Sequence, residues 1–366
     1  MADIDANLSL TRRERFFRAL ARQEVDRPPV ICTGGSMTAT PAEVVKRSGF
    51  SLPEAHADPV AMAGLALAAA RITGFESVGL PLCVTVEAEA FGAAIDLGDA
   101  STEARIVQEP YASVLVATVP PVKELLLRGR VPIVVEATRR LAKTAGDLPI
   151  IANLIGPVSV AASMVDPLAF LRELRSKPKE TAALAAHVTD FLIAWSRQLI
   201  AAGADAIVIH EDTTTPALVG PKTFETAVFP HLQRLTAAIK EESALVLLHM
   251  CGALGKSAAA VSQLNLDAYI PDASLSPAEV RQSLPGIAVV GNISTFLLHQ
   301  GEPAPIAKLA ARLVREGGVD VLSPTCGMSS ATPLVNILAM TEAAQRRAEG
   351  SKETTADVRH STERAP

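Results

Sequence analysis

The chain has 366 residues, of which 49% are hydrophobic, and this length and composition suit a large buried core within one α/β domain. Its 34 basic and 39 acidic residues are interspersed and give a formal net charge of −5, with no basic stripe, so we expect no nucleic acid partner. The polar N-terminus resembles no signal peptide, and the apolar run AMAGLALAAA is too short to span a membrane. We therefore expect a cytoplasmic protein with no membrane partner.

Short apolar runs rich in β-branched residues alternate with longer helical patterns along the chain. One such helical pattern covers residues 178–203 and ends at Gly203, a typical C-cap residue before a buried strand. The alternation predicts parallel βαβ units, and eight strands would close a single (β/α)8 TIM barrel. An open doubly wound sheet is the alternative, but no glycine-rich phosphate fingerprint follows the first strand. The predicted strands are residues 28–32, 76–82, 148–154, 204–210, 245–249, 266–271, 287–292 and 319–324.

Three further features complete the predicted organisation. Residues 83–118 alternate and turn in a way that predicts a β-hairpin excursion over the barrel mouth. Without a repeat or an interdomain linker, residues 1–348 are predicted to form a single catalytic domain. The polar tail, residues 349–366, is predicted to be disordered.

Polar side chains stand at the ends of most predicted strands, and the strand ends of a barrel converge on its catalytic face. His249 and Cys251 follow the fifth strand as His-x-Cys-Gly, and Cys326 follows the eighth as Cys-Gly. Imidazole and thiolate are ligands that zinc prefers, so these three residues predict a zinc site. The other strand-end polar residues are Asn153, His210, Glu211, Asp212, Asp272 and Asn292.

The arrangement of these ligands predicts their chemistry. Three ligands spread over a catalytic face leave an exchangeable fourth position, whereas a structural zinc is usually closed by four clustered ligands. Two thiolates make the metal weakly electrophilic, so it suits binding a substrate thiol as a nucleophilic thiolate. The predicted chemistry is thiol activation for alkyl transfer. The alternative is that each cysteine is a small buried hydrophobe.

The remaining cysteines and histidines lack such companions. Four cysteines in so long a chain form no disulfide framework, and Cys32 and Cys83 are predicted to pack in the core. His210 is ambiguous because the adjacent Glu211 and Asp212 could simply cap the next helix. Solvent exposure is predicted for His56, His187, His231, His299 and His360.

The whole chain from about residue 9 to 348 resembles the corrinoid-dependent methyltransferase branch of the uroporphyrinogen decarboxylase superfamily, which includes methylcobamide:coenzyme M methyltransferases. The resemblance implies a uroporphyrinogen decarboxylase-like barrel with Zn²⁺ at its mouth, bound by His249, Cys251 and Cys326. It also implies a corrinoid (methylcobalamin) as methyl carrier, a corrinoid protein as partner and a small thiol as substrate. It rests on LTRRERFFRALARQEVDRPPV, TVEAEAFGAAI, IGPVSVAASMV, GADAIVIHED, LLHMCG, VVGNIST and SPTCGMSSATPLVNI.

Acidic residues complete the predicted site. A related zinc methyltransferase class uses an acid after the next strand, and Asp272 matches it here as the fourth ligand, with a helix N-cap as the alternative role. Glu87, Glu211 and Asp212 are predicted catalytic residues that line the mouth, where they would orient the substrate or take the thiol proton.

Several alternatives remain open at this stage. The decarboxylase itself would need arginines after RPPV, and RPPVICTGGSMTA has none. A first-step methyltransferase would instead move methyl from a substrate to the corrinoid protein. A barrel that only docks a corrinoid protein would hold zinc for stability. The methyl acceptor, coenzyme M or another thiol such as homocysteine, is open, and an oligomer is compatible with the sequence.

Overall fold

Seven parallel strands form one curled sheet, and a separate pair of strands is antiparallel. The computed structural model describes residues 10–34, 39–316 and 318–345, so the predicted tail and His360 lie outside the described residues. In the large sheet the order is β1-β4-β5-β6-β7-β8-β9, and β2 pairs with β3. The strands are β1 (Val78–Leu80), β2 (Ala94–Asp96), β3 (Arg105–Gln108), β4 (Ile150–Ile155), β5 (Ala206–His210), β6 (Leu245–His249), β7 (Ala268–Ile270), β8 (Ala288–Ile293) and β9 (Val321–Pro324).

Helices connect consecutive strands of the large sheet, as parallel pairing requires. The longest helix, α10 (Pro178–Ala202), begins with a proline and is followed by Gly203. The φ of Gly203, 111°, is a left-handed conformation that glycine adopts readily. The helices are α1 (Arg12–Leu20), α2 (Ala42–Ser48), α3 (Glu54–Ala57), α4 (Pro59–Thr73), α5 (Val86–Ala90), α6 (Val122–Leu125), α7 (Val131–Thr144), α8 (Pro157–Ser163), α9 (Pro167–Ser176), α10 (Pro178–Ala202), α11 (Pro216–Val219), α12 (Pro221–Thr223), α13 (Phe229–Glu241), α14 (Ala258–Val261), α15 (Pro277–Ser283), α16 (Thr295–Gln300), α17 (Pro303–Arg315) and α18 (Leu334–Gln345).

The predicted first strand, residues 28–32, is a single β-bridge rather than a regular strand. Val30 pairs in parallel with Leu322 of β9, and Ile31 N donates to the Leu322 carbonyl at 2.9 Å. On the other side, Glu76 N donates to the Val30 carbonyl at 2.7 Å. Prolines at positions 28 and 29 have no N–H to donate, which limits the ladder that this segment can form.

A buried ion-pair network holds this segment against the start of β1. The Glu76 carboxylate accepts two hydrogen bonds from Arg27, at 2.6 and 2.7 Å, and one from Arg15 at 2.9 Å. It also accepts the Val30 amide at 3.0 Å. Glu76 is only 3% exposed, so these contacts replace the water that its charge has lost.

The inner face of the curled sheet is a compact apolar cluster made by alternate residues of each strand. The same alternation, continued to the C-terminal strand ends, brings Asn153, His210 and His249 to the inner face. The outer face packs against the helices, where the fully buried Trp195 of α10 stacks on Phe191. The inner strand residues are Ile151, Ala206, Val208, Leu247, Ala268, Ile270, Ala288, Val290 and Val321.

The antiparallel pair β2–β3 lies within the region where the sequence predicts a hairpin. Its turn is stabilised by Asp99, whose Oδ1 accepts the amides of Ser101 and Thr102 at 2.7 and 2.8 Å. Arg105 and Ile106 of β3 line a cavity shared with the end of β5. Among the helices of the described chain, none is both long enough and apolar enough to cross a membrane.

Candidate metal and thiol site

The ends of β5 and β6 place two histidines side by side on the inner face. His210 and His249 are register partners in the parallel ladder, and His249 is in turn the partner of Ile270 on β7. The two imidazole rings meet edge to face with centroids 5.6 Å apart. Both side chains are buried, with exposures of 0% and 1%.

The tautomer of His249 is determined by the backbone of β7. Its Nδ1 lies 3.0 Å from the Ile270 carbonyl, which can only accept, so Nδ1 carries the proton. The Nε2 atom therefore is the one that faces Cys251 Sγ at 3.7 Å and Asp212 Oδ1 at 3.5 Å, where it can bind a metal ion or, without one, a second proton. A backbone carbonyl that orients a histidine in this way is a common partner of metal-binding imidazoles.

The donor atoms around His249 have the spacing of a tetrahedral zinc site. Cys251 Sγ lies 3.8 Å from Asp212 Oδ1, which closes a triangle with sides of 3.5, 3.7 and 3.8 Å. A zinc ion with bonds of about 2.0–2.3 Å places neighbouring donors roughly 3.4–3.8 Å apart. Cys326 also raises the pKa of His249, so a second thiol lies near this triangle. Two thiols, an imidazole and a carboxylate therefore fit the zinc that the sequence implies.

This cluster also favours a positive charge at its centre. Burial lowers the pKa of His249, but hydrogen bonds with Cys251 and Cys326 and the charge of Asp212 outweigh burial and raise that pKa well above its usual value. The donors that stabilise a proton on this imidazole are the same donors that would stabilise a divalent cation.

His210 offers a second nitrogen to the same cluster, which the sequence left ambiguous. Its Nε2 donates to Asn153 Oδ1 at 2.9 Å, and Asn153 Nδ2 donates to the Leu80 carbonyl at 3.3 Å, which fixes the amide orientation. His210 Nδ1 has no hydrogen-bond partner among the described residues. Burial lowers the pKa of His210 to about 3, so the ring is neutral and Nδ1 is an acceptor. One ligand atom each from His210, Asp212 and His249 lies within 4.8 Å of the others.

Asp272 makes the contacts of a loop-stabilising residue. Its Oδ2 accepts the Gly252 amide at 3.1 Å, and its Oδ1 accepts the Ser274 amide at 2.8 Å. These bonds fix the turn that carries Cys251. They favour a role for Asp272 in stabilising the turn over a role as a metal ligand. Asp212, which the sequence predicts as a catalytic residue, is the carboxylate whose distances to His249 and Cys251 match a ligand.

The two predicted catalytic glutamates differ in their surroundings. Glu211 Oε1 accepts the hydroxyls of Ser159 and Thr214 at 2.5 and 2.6 Å, and Oε2 accepts the Val158 amide at 3.2 Å. Burial raises the pKa of Glu211 to about 7 against these hydrogen bonds. The carboxylate therefore joins the loops after β4 and β5 and does not line the cavity at the mouth.

Glu87, in contrast, lines that cavity. Its Oε1 accepts the Ile155 amide at 2.8 Å, whereas Oε2 has no partner among the described residues. Burial raises the pKa of Glu87 to about 7. The cavity has a volume of about 310 Å³ and is bounded by the hairpin on one side and by β5 on the other. Other lining residues are Arg105, Ser159, His210, Asp212 and Thr213.

The structure corrects two predictions about residues outside the cluster. His56 and His231 were predicted to be solvated, but both are buried, at 3% and 8% exposure, because the helices that carry them pack against neighbouring elements. Cys83 is half-buried and packs against the core as predicted, and its sulfur also accepts a hydrogen bond from Arg130. Cys32 is a core residue as predicted, with 4% exposure.

Sequence reasoning also missed Tyr269 of β7. Its hydroxyl is fully buried without a hydrogen-bond partner in the described chain. Burial raises its pKa, and the charges of Cys251, Asp272 and Asp212 raise it further. The available signal was a tyrosine within an otherwise apolar strand.

Comparison with known proteins shows which family this arrangement belongs to. Residues 11–347 match the family model described as uroporphyrinogen decarboxylase (URO-D). The chain belongs to the uroporphyrinogen decarboxylase family. Within this family it is 32% identical to the methylcobamide:CoM methyltransferase MtbA of Methanosarcina acetivorans, covering 92% of this chain and 98% of that relative. It is also 32% identical to MtaA, another methylcobamide:CoM methyltransferase, from Methanosarcina barkeri, over 91% of this chain and 97% of the relative.

A solved family structure has the same fold. A methyltransferase from Methanosarcina mazei superposes with a TM-score of 0.84 and 30% sequence identity, covering 93% of this chain and 99% of the other. These similarities confirm the resemblance to the corrinoid-dependent methyltransferase branch that the sequence motifs indicate.

Proposed function

We propose that this chain is a zinc-dependent methyltransferase that moves a methyl group between a corrinoid and a small thiol such as coenzyme M. The observation that carries the proposal is the triangle of His249 Nε2, Cys251 Sγ and Asp212 Oδ1, with sides of 3.5–3.8 Å. The relatives named methylcobamide:CoM methyltransferases support the choice of corrinoid and thiol.

In this proposal His249, Cys251 and Cys326 hold the zinc ion, and the carboxylate of Asp212 occupies the exchangeable fourth position. Asp272 keeps the turn after β6 in place through the Gly252 amide. When bound, zinc would hold the substrate thiol as a thiolate at neutral pH, where a free thiol with a pKa near 8.5 is mostly protonated.

The residues of the cavity have separate tasks. Glu87 Oε2 is a buried acceptor without a partner in the described chain, and its pKa near 7 suits it to receive the proton that the thiol releases. His210, neutral and held by Asn153, accepts a hydrogen bond at the inner wall of the cavity. The cavity volume of about 310 Å³ suits a small thiol and is too small for a whole corrinoid.

The corrinoid must therefore approach from outside the cavity. We propose that a corrinoid protein docks over the C-terminal face of the sheet and presents its methyl group at the cavity entrance. This requires a closed (β/α)8 barrel in which residues 28–32 are the eighth member of the sheet, as the bridge between Val30 and Leu322 suggests. It also requires the hairpin, with Arg105 at the cavity, to cover the mouth of one catalytic domain, residues 1–348.

A methyl-transfer assay with zinc content measured in parallel tests the proposal. Purified protein is mixed with methylcobalamin and a panel of thiols that includes coenzyme M and homocysteine, and cobalamin demethylation is followed by absorbance. We expect transfer to at least one thiol, about one zinc per chain, and loss of both in Cys251→Ala and Cys326→Ala. Transfer at full rate after zinc removal would refute a catalytic zinc, and unfolding on zinc removal would indicate a structural one.

A further inference from the structure

A second cysteine centre lies outside the metal and thiol site, in the loop between β1 and α5. Cys83 Sγ accepts a hydrogen bond from Arg130 Nη1 at 3.0 Å and lies 3.4 Å from Thr85 Oγ1. The ring of His56 lies close enough to lower the pKa of this thiol. Cys83 packs at the edge of the core, but its sulfur has polar partners that a purely space-filling cysteine lacks.

The cation beside the sulfur is fixed in position. Arg130 is 3% exposed, and its Nε donates to Glu89 Oε2 at 2.7 Å. Its Nη2 donates to Thr85 Oγ1 at 2.7 Å, so the guanidinium bridges the hydroxyl and the thiol. A guanidinium held by three partners presents its remaining N–H groups in a set direction without further loss of side-chain entropy.

Cys83 and His56 line a narrow cavity under the tip of the hairpin, with Thr102 and Ala104 on the opposite wall. His56 is 3% exposed, and its Nδ1 has no hydrogen-bond partner among the described residues. A buried ring nitrogen without a partner is costly unless a small polar molecule supplies the missing bond. The cavity volume of about 20 Å³ is enough for a molecule little larger than water.

The charges around Cys83 favour its thiolate. Burial raises the pKa of Cys83, but the hydrogen bond from His56 and the positive charge of Arg130 outweigh burial and lower that pKa to about 6. Four acids face the same region. Glu89 pairs with Arg130, the charge of Cys83 raises the pKa of Glu87, and Asp99 and Glu103 line the cavity from the hairpin. In Cys32, which has no such cation, burial raises the pKa to about 12.

We propose that Cys83 is a peroxide-reactive thiol and that the narrow cavity at its sulfur takes a small hydroperoxide, with hydrogen peroxide as the simplest member. The thiolate sulfur attacks one peroxide oxygen, an S–O bond forms and the O–O bond breaks. Cys83 is oxidised by two electrons to the sulfenic acid, and the peroxide is reduced to hydroxide, which takes one proton to become water. Arg130 and Thr85 hold the sulfur as a thiolate, and His56, which lines the cavity, supplies the proton to the departing hydroxide. This site is separate from the proposed methyl transfer and does not depend on it.

Trapping of sulfenic acid tests the proposal on the full-length, zinc-loaded protein. Reduced protein is mixed with hydrogen peroxide and dimedone at pH 7, and peptide mass spectrometry measures the label on each of the four cysteines. We expect Cys83 to be labelled at least about tenfold faster than free cysteine, with Cys32 unlabelled. The rate should fall as the pH decreases through 6, because the thiolate is lost below its pKa. Labelling of Cys83 no faster than that of free cysteine would overturn the proposal.

Variants separate peroxide chemistry from mere thiolate reactivity. Thr85→Val and His56→Asn keep the cysteine but remove a donor or the proton carrier, and circular dichroism checks that each is folded. Both rates are corrected for the thiolate fraction of each variant, taken from its pH profile. After that correction we expect His56→Asn to slow peroxide labelling about tenfold and the reaction with methyl methanethiosulfonate much less, whereas Thr85→Val, which acts only on the sulfur, should change neither strongly. Equal slowing of both corrected rates in His56→Asn would show a reactive thiolate without a peroxide site and would overturn the proposal. Cys83→Ser should lose this label and keep methyl transfer.

Discussion

Asn153 and His210 form a hydrogen bond of 2.9 Å between neighbouring strands, and this bond determines which nitrogen of His210 carries the proton. Because Asn153 Nδ2 is committed to the Leu80 carbonyl, its Oδ1 is the atom that accepts from His210 Nε2. The lone pair then lies on Nδ1, which has no hydrogen-bond partner among the described residues. A single amide therefore sets the tautomer of an imidazole at the proposed thiol cavity.

We expect Asn153→Ala to lower both stability and activity. The change leaves the His210 N–H buried without an acceptor, which costs about 1–3 kcal/mol in the free energy of unfolding. It also releases the ring, so methyl transfer should fall about tenfold or more. Asn336→Ala is the matched control, because Asn336 is equally buried and donates to the Leu298 and Gly301 carbonyls away from the site. Loss of activity per folded molecule in both variants would contradict this role of Asn153.

Asp212 and Asp272 can be distinguished by metal affinity. If Asp212 is a zinc ligand, Asp212→Asn should weaken zinc binding by about 10–100-fold. Asp272→Asn should weaken it less, because its contacts are to the backbone amides of Gly252 and Ser274. A competition titration with a chromophoric chelator measures both. Zinc retained by Asp212→Asn and lost by Asp272→Asn would restore Asp272 as the fourth ligand.

Glu87 should make both stability and rate depend on pH. Its folded-state pKa is about 7, raised by burial above the usual value of a glutamate. Between those two values the folded state binds more protons than the unfolded chain, so stability falls as pH rises toward 7. Glu87→Gln removes this loss and should stabilise the protein by about 1–3 kcal/mol above pH 7.

The rate should respond in the opposite way. Ionised Glu87 is the proposed proton acceptor, so methyl transfer should rise through pH 7, and Glu87→Gln should flatten this rise. Glu211→Gln is the control, since Glu211 is buried with a similarly raised pKa but bonded to Ser159 and Thr214. A pH–rate profile of each variant decides the matter. An unchanged rise in Glu87→Gln would exclude Glu87 as the acceptor.

The Glu76 network should dominate the stability of the N-terminal segment. Glu76→Ala leaves Arg27 and the Val30 amide without their buried acceptor, while Arg15 keeps its pair with Asp26. Breaking such a buried pair costs about 3–5 kcal/mol in the free energy of unfolding. Glu136→Ala removes exposed ion pairs with Arg139 and Arg140 and should cost less than about 1 kcal/mol. Urea denaturation compares the two. Equal, small effects would mean that water replaces the carboxylate of Glu76.

The sequence was sufficient to predict the strands of the large sheet and the proximity of His249 to Cys251. Buried parallel strands are continuous apolar runs, and the residues directly after them must meet at one edge. The segment 28–32 was predicted as a regular strand because its residues are apolar. Its two adjacent prolines cannot donate backbone hydrogen bonds, and how far this shortens the ladder depends on which strands lie beside the segment.

Side-chain direction was the part that sequence could not predict. Asp212 and Asp272 both follow strands, and only the hydrogen bonds of Asp272 to Gly252 and Ser274 show which of them is committed to the backbone. His56 is buried by the packing of distant segments, which local patterns do not record. The hydrogen bond between Arg130 and Cys83 joins residues far apart in the chain, and neither has a local motif.

The bridge between Val30 and Leu322 has a consequence for biosynthesis. It pairs segments that lie far apart in the chain, so this contact cannot form until Leu322 has emerged from the ribosome. Until then, the edges of β1 and β9 each lack a neighbour and are open to pairing with another nascent chain. The charged contacts of Glu76 with Arg15 and Arg27 are available earlier, because all three residues lie in the first quarter of the sequence. They would place the N-terminal segment along β1 before β9 is synthesised. The edge of β1 is then covered, and only the edge that later pairs with β9 stays open.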